Sequence, residues 1–275
     1  MSAEVKPETN QQYHADLSCI SRSQLWDAWK RPRVFEAKYI TRTMPLGSAS
    51  SAMDKGTAVH AAVLEDTDLI VSYPDEVLSK DGKASTTAAK QWKAEQDALG
   101  KIVLNSSDAA DCRAMIDSVR SYIRGWTHPG DIREKSIRWT DEATGLNLKI
   151  RPDWIAPRKD FVAVMDLKTT AEVTQKSFTY SCKDYGYWLQ AAMYCDGVAQ
   201  HLGRDDVRFW FLVVESSAPF VTAAFEFDAT TMAKAHLAKA ELFAEVARRM
   251  RDNDWAEKTE RNINSIELHS SVFER

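Results

Sequence analysis

Asp166 and Lys168 close a segment that is otherwise apolar, Phe161-Val162-Ala163-Val164-Met165-Asp166-Leu167-Lys168. In a strand alternate side chains share a face, so the carboxylate and the ammonium point the same way, about 6–7 Å apart along the chain. Such residues sit at the rim of a sheet, within reach of a polar substrate. A second carboxylate, Asp153, ends the preceding strand-like segment just after Pro152. The short turn between the two segments brings it back beside the end of its partner. Two acidic oxygens on neighbouring strands suit a hard divalent cation such as Mg²⁺ or Mn²⁺. A lysine beside them suits activation of water or stabilisation of charge developing on a phosphoryl group. The Asp166-Leu167-Lys168 triplet alone is equally a surface ion pair closing a strand. Pro152 cannot donate to a ladder, so the register between the strands stays open.

The elements that must position these residues follow from hydrophobic period. Leu25, Trp26 and Trp29 lie at helical spacing in a segment that begins at Ser23 and is expected to stop at Pro32. Residues 54–65, 86–99 and 107–124 read as further helices, the last with Ser106, Ser107 and Asp108 as candidate caps. The stretch 44–52 reads as a flexible loop. The period then falls to two over 132–140, 146–153 and 161–168, which predicts three antiparallel strands in a meander. Residues 185–201 return to helix, 207–215 and 220–228 read as strands, and 230–252 as a long Ala-rich helix. The order predicts an α/β fold with a mixed central sheet flanked by helices and a helical N-terminal part. Tyr187, Gln190 and Tyr194 share one face of the helix over 185–201. A glutamine in a buried stripe needs a polar partner, and Lys168 is a candidate.

Composition narrows the function classes. The chain has 275 residues, 44% hydrophobic and 28% charged, long enough for its own core and unlike a disordered or disulfide-scaffold protein. The longest purely apolar run, Phe209 to Val214, is too short to span a bilayer, and no apolar leader opens the sequence, so a cytoplasmic address and no membrane partner are expected. Cys19, Cys112, Cys182 and Cys195 form no C-x-x-C pair and read as ordinary buried thiols. The formal net charge of -4 supplies no global field for nucleic acid, so any such binding must be local. Basic clusters occur at Lys30, Arg31, Arg33, Lys38 and Arg42, and at Lys149, Arg151, Arg158 and Lys159; each is a candidate phosphate track or a solvated face.

Arg151-Pro152-Asp153, the thirteen-position step to Asp166, and Asp166-Leu167-Lys168 together resemble the PD-(D/E)XK nuclease signature. Gly56-Thr57-Ala58-Val59-His60 followed by Val63-Leu64-Glu65 resembles the G-x-x-x-H helix of the RecB-like and RecE-like branch of that superfamily. Gln190 and Tyr194 match its Q-x-x-x-Y element. The likeness narrows to the exodeoxyribonuclease VIII (RecE-like) type through several further segments. These are Tyr13-His14-x-Asp16 with Ser21-x-Ser23-x-Leu25, Asp81-Gly82-Lys83, Glu134 through Trp139, Thr144-Gly145-Leu146 and Asp166 through Thr170. They cover residues 13 to about 215, while the last 60 residues carry no readable motif. The Lys30-Arg31-Pro32-Arg33 segment departs from the pattern in being more basic, and no G-x-x-x-x-G-K-[ST] loop of a helicase motor is present.

The resemblance implies a metal-dependent DNA exonuclease in one nuclease domain over residues 1–275. Its mainly helical part, 13–130, would carry the histidine motif, 131–228 the catalytic sheet and helix, and 229–275 a C-terminal helix and tail. It implies His60, Asp153 and Asp166 as metal ligands, with the backbone carbonyl of Leu167 completing the shell. Mg²⁺ is the expected ion and Mn²⁺ a substitute. Lys168 would orient or activate water, Gln190 would hold Lys168, and Tyr194 would line the site, with Glu134 a candidate for a second metal or the outer shell. The implied partners are linear duplex DNA ends, a single-strand annealing protein and further copies of the chain in a ring, working 5'-to-3' in phage-type recombination in a bacterial cell. Two alternatives remain at this point: an endonuclease of the same fold, and a catalytically silent DNA-binding or assembly subunit.

Overall fold

The computed structural model describes residues 4–6, 8–46 and 51–261. The N-terminal part comprises β1 (Glu4–Lys6), α1 (Asn10–Ala15), β2 (Ile20–Ser21), α2 (Arg22–Lys30) and α3 (Pro32–Phe35), which runs into a π-helical turn, Glu36–Ile40. It continues through α4 (Ser51–Leu64), β3 (Ile70–Ser72), α5 (Thr87–Ala98), β4 (Ile102–Leu104) and α6 (Ser106–Tyr122). The sheet-forming part contains β5 (Ile132–Arg133), β6 (Ser136–Thr140), β7 (Asn147–Ile150), β8 (Trp154–Pro157) and β9 (Val162–Thr170). After it come α7 (Gln175–Asp184), α8 (Tyr187–Leu202), β10 (Val207–Glu215), β11 (Thr222–Glu226) and α9 (Ala229–Asp252).

The fold is mixed α/β as the period pattern predicts, but the meander is not one sheet. β5, β8, β9, β10 and β11 form a five-stranded sheet in the order β11-β10-β9-β8-β5, while β6 and β7 belong to a separate sheet ordered β1-β6-β7-β2. The chain changes sheets twice, between β5 and β6 and again at Arg151–Asp153. Pro152 accounts for the second crossing, since a residue without an N–H cannot continue a central ladder. Asp153 therefore precedes β8 instead of ending β7. Pro32 likewise ends α2 as expected, but a new helix starts on it, because proline is well suited to the first turn. The cap of α6 is Asn105, whose side chain accepts from the Asp108 N–H, one residue ahead of the expected serines. Within the loop predicted over 44–52, residues 47–50 lie outside the described residues and α4 already begins at Ser51. The short strands β1 to β4 carry too few residues to show a period; α7 also lies outside the predicted elements, although it buries Phe178 and Cys182 at helical spacing.

β9 is the central strand. It pairs antiparallel with β8 and, for nine residues, parallel with β10, the parallel return being made by α7 and α8. Both of its faces are buried, which explains its near-continuous apolar run. Val162 and Val164 face the cluster that α8 and α9 close, with Leu189, Met193, Val198, Leu242 and Val246. Ala163, Met165 and Leu167 face the cluster closed by α4 and α6, with Val59, Val63, Met115 and Val119. Asp166 and Lys168 thus continue the Val162/Val164 face toward α8. Three cysteines are buried as expected and Cys19 is half-exposed. Among the described residues no helix is long and apolar enough to cross a membrane.

The α7–α8 junction turns on Gly186, at φ +63°, where an added Cβ would lie 2.4 Å from the Trp26 ring of α2. Gly203, which ends α8, has the same φ but open space around it. Gly203→Ala should therefore cost only the roughly 1–2 kcal/mol of a left-handed L residue, and Gly186→Ala that amount plus the displacement of Trp26. Urea midpoints should fall in that order; an equal or larger loss at Gly203 would contradict the packing described.

Candidate active site

The β8–β9 register pairs Trp154 with Met165, so one further step sets Asp153 opposite Asp166. Asp153 and Asp166 are 8% and 3% exposed. Two buried carboxylates facing each other across a ladder require compensation from their neighbours. Asp153 Oδ2 accepts the Leu167 N–H at 2.7 Å. Asp166 is held on both oxygens: Oδ2 pairs with the Lys168 ammonium and Oδ1 accepts from Gln190 Nε2. A carboxylate only accepts, so the Gln190 amide must present its nitrogen. Gln190 therefore holds Asp166 and not, as the sequence suggested, Lys168.

His60 reaches this pair from α4. Its Nε2 lies 2.7 Å from the Leu167 carbonyl oxygen and its Nδ1 lies 3.4 Å from Asp153 Oδ2. The carbonyl can only accept, so Nε2 carries the proton, and burial lowers the affinity of the ring for a second one. A bare Nδ1 lone pair then faces a carboxylate oxygen, an arrangement that a shared proton or a cation relieves. Burial first, then the Asp166 charge, raise the proton affinity of Asp153 well above that of an ordinary aspartate. Glu134 is pushed up to about 7, by burial and by Asp153, with Arg151 opposing. Arg151 Nε donates to Glu134 Oε2 at 2.9 Å. Glu134 sits at φ 50°, a left-handed backbone that is uncommon for a side-chain-bearing residue and turns it inward after β5.

His60, Glu134 and Asp153 each offer a ligand atom within 4.8 Å of the other two. One imidazole and two carboxylates that resist ionisation side by side fit a divalent cation. Asp166 and the Leu167 carbonyl, both expected among the ligands, also contact Lys168 and Gln190, and His60, respectively, and each of these oxygens keeps a further lone pair. Glu134, a candidate for a second metal or the outer shell, lies in the ligand-capable group with His60 and Asp153. Lys168 is opposed in its charge by burial, but Asp166, Tyr187 and Asp153 outweigh this and hold it protonated. Its Nζ lies 5.0 Å from the Tyr187 ring centroid. Tyr194 is 9% exposed and packs edge-on against Phe209 at 5.9 Å, so it contributes mainly to the wall behind the carboxylates.

The sequence did not single out Arg22. Its Nη2 donates to the Tyr185 carbonyl, and its guanidinium lies over the Trp26 and Tyr187 rings at 5.9 and 5.8 Å. It stood between the two serines of a quoted motif, at an unspecified position, where spacing gives no signal. Several members of the basic clusters have carboxylate partners within the chain. Arg31 pairs with Glu257, Arg33 with Glu36 and Glu260, Lys38 with Asp27, and Arg158 with Asp131, while Lys149 is 1% exposed.

A cation held by His60, Glu134 and Asp153 must displace the protons that the two carboxyls retain, so binding should strengthen as pH rises from 6 through 7 to 8. Thermal unfolding with Mn²⁺ or Mg²⁺ should show a larger rise in Tm at pH 8 than at pH 6. EDTA should abolish it, and Glu134→Gln and His60→Ala should each reduce it. The same Tm rise in both variants as in the unaltered protein would remove these residues from the cation site.

A crystal structure from Eubacterium rectale, described as that of a candidate exonuclease, superposes with a TM-score of 0.58 over 98% of each chain at 14% identity, which is a likeness of fold. The crystal structure of the protein SSO0001 aligns with 68% of this chain and 85% of its own at 12% identity, with a TM-score of only 0.28. Among curated proteins nothing matches. Residues 21–266 match the model of a family described as "PDDEXK-like domain of unknown function (DUF3799)". That match takes in α2 through α9 and every candidate residue above, and the chain accordingly belongs to this PDDEXK-like family.

Proposed function

We propose that the chain is a metal-dependent DNA exonuclease of the RecE-like type, hydrolysing phosphodiester bonds from the ends of linear duplex DNA. The observation that carries this reading is the convergence of Asp153, Asp166 and Lys168 where β8 leaves the side of β9, with Glu134 and His60 closing the cation-ligating side. A divalent cation there, Mg²⁺ with Mn²⁺ as substitute, would polarise the scissile phosphate and favour ionisation of a bound water. The residues of the chain do the rest. Lys168, kept charged by Asp166, acts as a fixed positive group against the phosphoryl oxygens and as a donor orienting the water. Gln190 fixes the Asp166 carboxylate that aims Lys168. Hydrolysis forms a phosphorus–oxygen bond to the water oxygen and breaks the one to the departing nucleotide oxygen, which leaves with a proton.

Support for an exonuclease over an internal cutter comes from charge. A net charge of -4 and the internal pairing of Arg31, Arg33, Lys38 and Arg158 leave little long-range attraction for DNA. Enclosure by a ring of identical subunits would supply retention and restrict entry to free ends. The description of the Eubacterium rectale protein agrees with an exonuclease. The 5'-to-3' direction, a partnership with a single-strand annealing protein and a place in phage-type recombination complete the reading and rest on the motif resemblance.

End-labelled linear duplex should lose its 5' label first in the presence of Mg²⁺, with EDTA abolishing hydrolysis and covalently closed circles surviving. Asp166→Asn and Lys168→Ala should each reduce turnover by about 10²–10³, the scale for removing one group that stabilises developing charge. Closed circles cut at the rate of linear DNA would favour the endonuclease, and near-normal turnover in either variant would refute the site.

A further inference from the structure

We infer that the cleft beside Lys168 is a stacking subsite for one unpaired nucleobase of the substrate, with the Tyr185 ring as its platform; this deepens the nuclease reading above and rests on it. The cleft has a volume of about 470 Å³ and is lined by Lys168, Thr170, Ser181, Tyr185, Tyr187 and Ser216. That volume lies within the range of small-ligand sites. Its wall is an aromatic column that starts in the core. Phe211 stacks on Tyr187 at 5.5 Å and Tyr187 on Tyr185 at 5.8 Å, both with ring planes 29° apart. The column ends at Tyr185, which is 59% exposed, so one further flat ring would extend it. Bases stack on such exposed aromatic side chains without regard to sequence, because every base has a π-face.

The platform is held rigid at three points. Arg22 donates to the Tyr185 carbonyl and covers Tyr187. Gly186 joins the two tyrosines in a left-handed turn against Trp26, and Phe211 anchors the column in the sheet. A ring fixed in this way loses little freedom on binding. The Lys168 ammonium lies over the second ring of the column, and the hydroxyls of Thr170, Ser181 and Ser216 line the same cleft, a combination suited to sugar and phosphate oxygens. A base within duplex DNA keeps both faces covered by its neighbours, so the subsite accepts a nucleotide only at a frayed or single-stranded end.

The test measures hydrolysis of linear DNA carrying a single abasic nucleotide at successive positions from the end, by the unaltered protein and by Tyr185→Ala and Tyr185→Trp. For the unaltered protein one position should raise KM about tenfold, the scale of one base–aromatic stack. Tyr185→Ala should show a comparable rise on intact DNA and no further rise with the abasic position, and Tyr185→Trp should restore both behaviours. An unaltered KM in Tyr185→Ala, or an abasic penalty that persists in it, overturns the subsite alone. If the unaltered protein hydrolyses no DNA with Mg²⁺ or Mn²⁺, the nuclease reading fails and takes the subsite with it.

Discussion

Two carboxylates facing each other on neighbouring strands repel, and a sheet in which they are buried can form only if the repulsion is met from outside the pair. The surroundings of Asp153 and Asp166 are arranged around that constraint. Asp153 takes a backbone N–H from β9, and His60 approaches it from α4. Asp166 takes the ammonium of Lys168 on one oxygen and the Gln190 amide of α8 on the other. Burial first, and then repulsion from Asp166 on Asp153 and from Asp153 on Glu134, raises the proton affinity of these two carboxyls. The pair is thereby divided into a half already neutralised by the chain and a half that fits a cation.

The second sheet serves as a brace for this arrangement. Arg151 bonds Glu134 through Nε and the Glu8 carbonyl through Nη1, tying the N-terminal segment to the site. Arg138 pairs with Glu8 and Asp16, and the Lys149 ammonium donates to the carbonyls of Tyr13 and Asp16. Removing a partner from a buried cation of this kind is costly, the more so for Arg138, whose Nη1 is buried without a hydrogen-bond partner. α2 starts directly after β2, which pairs with β7, so the same network fixes where Arg22 begins its reach toward Tyr185.

The parts legible in the sequence are those with a strong local signature. The alternation in β9 placed Asp166 and Lys168 on one face, and the helical spacing of Tyr187, Gln190 and Tyr194 placed these side chains on one stripe. Pro152 signalled a break but not where the chain would go next, because a proline forbids a ladder bond without choosing the new partner strand. The identity of the Gln190 partner depended on which face of β9 meets α8, a tertiary fact. Glu134 could be quoted from a motif, yet its inward turn depends on a left-handed backbone angle that residue type does not encode. The ion pairs of Arg31, Arg33 and Lys38 were not legible because their carboxylate partners are distant in sequence or belong to another turn.

The nine-residue parallel pairing of β9 with β10 bears on when the site comes into being. β9 carries Asp166 and Lys168, yet one edge of it stays open until β10 has been made and carried back across α7 and α8. Contacts of such sequence separation form late, since the chain between them must first be ordered. Synthesis proceeds from the N-terminus, so a nascent chain exposes His60, Glu134 and both aspartates well before Glu215 leaves the ribosome. The acidic pair lacks its Gln190 and Phe211 surroundings during that interval. Assembly of the centre is thus coupled to the synthesis and return of β10.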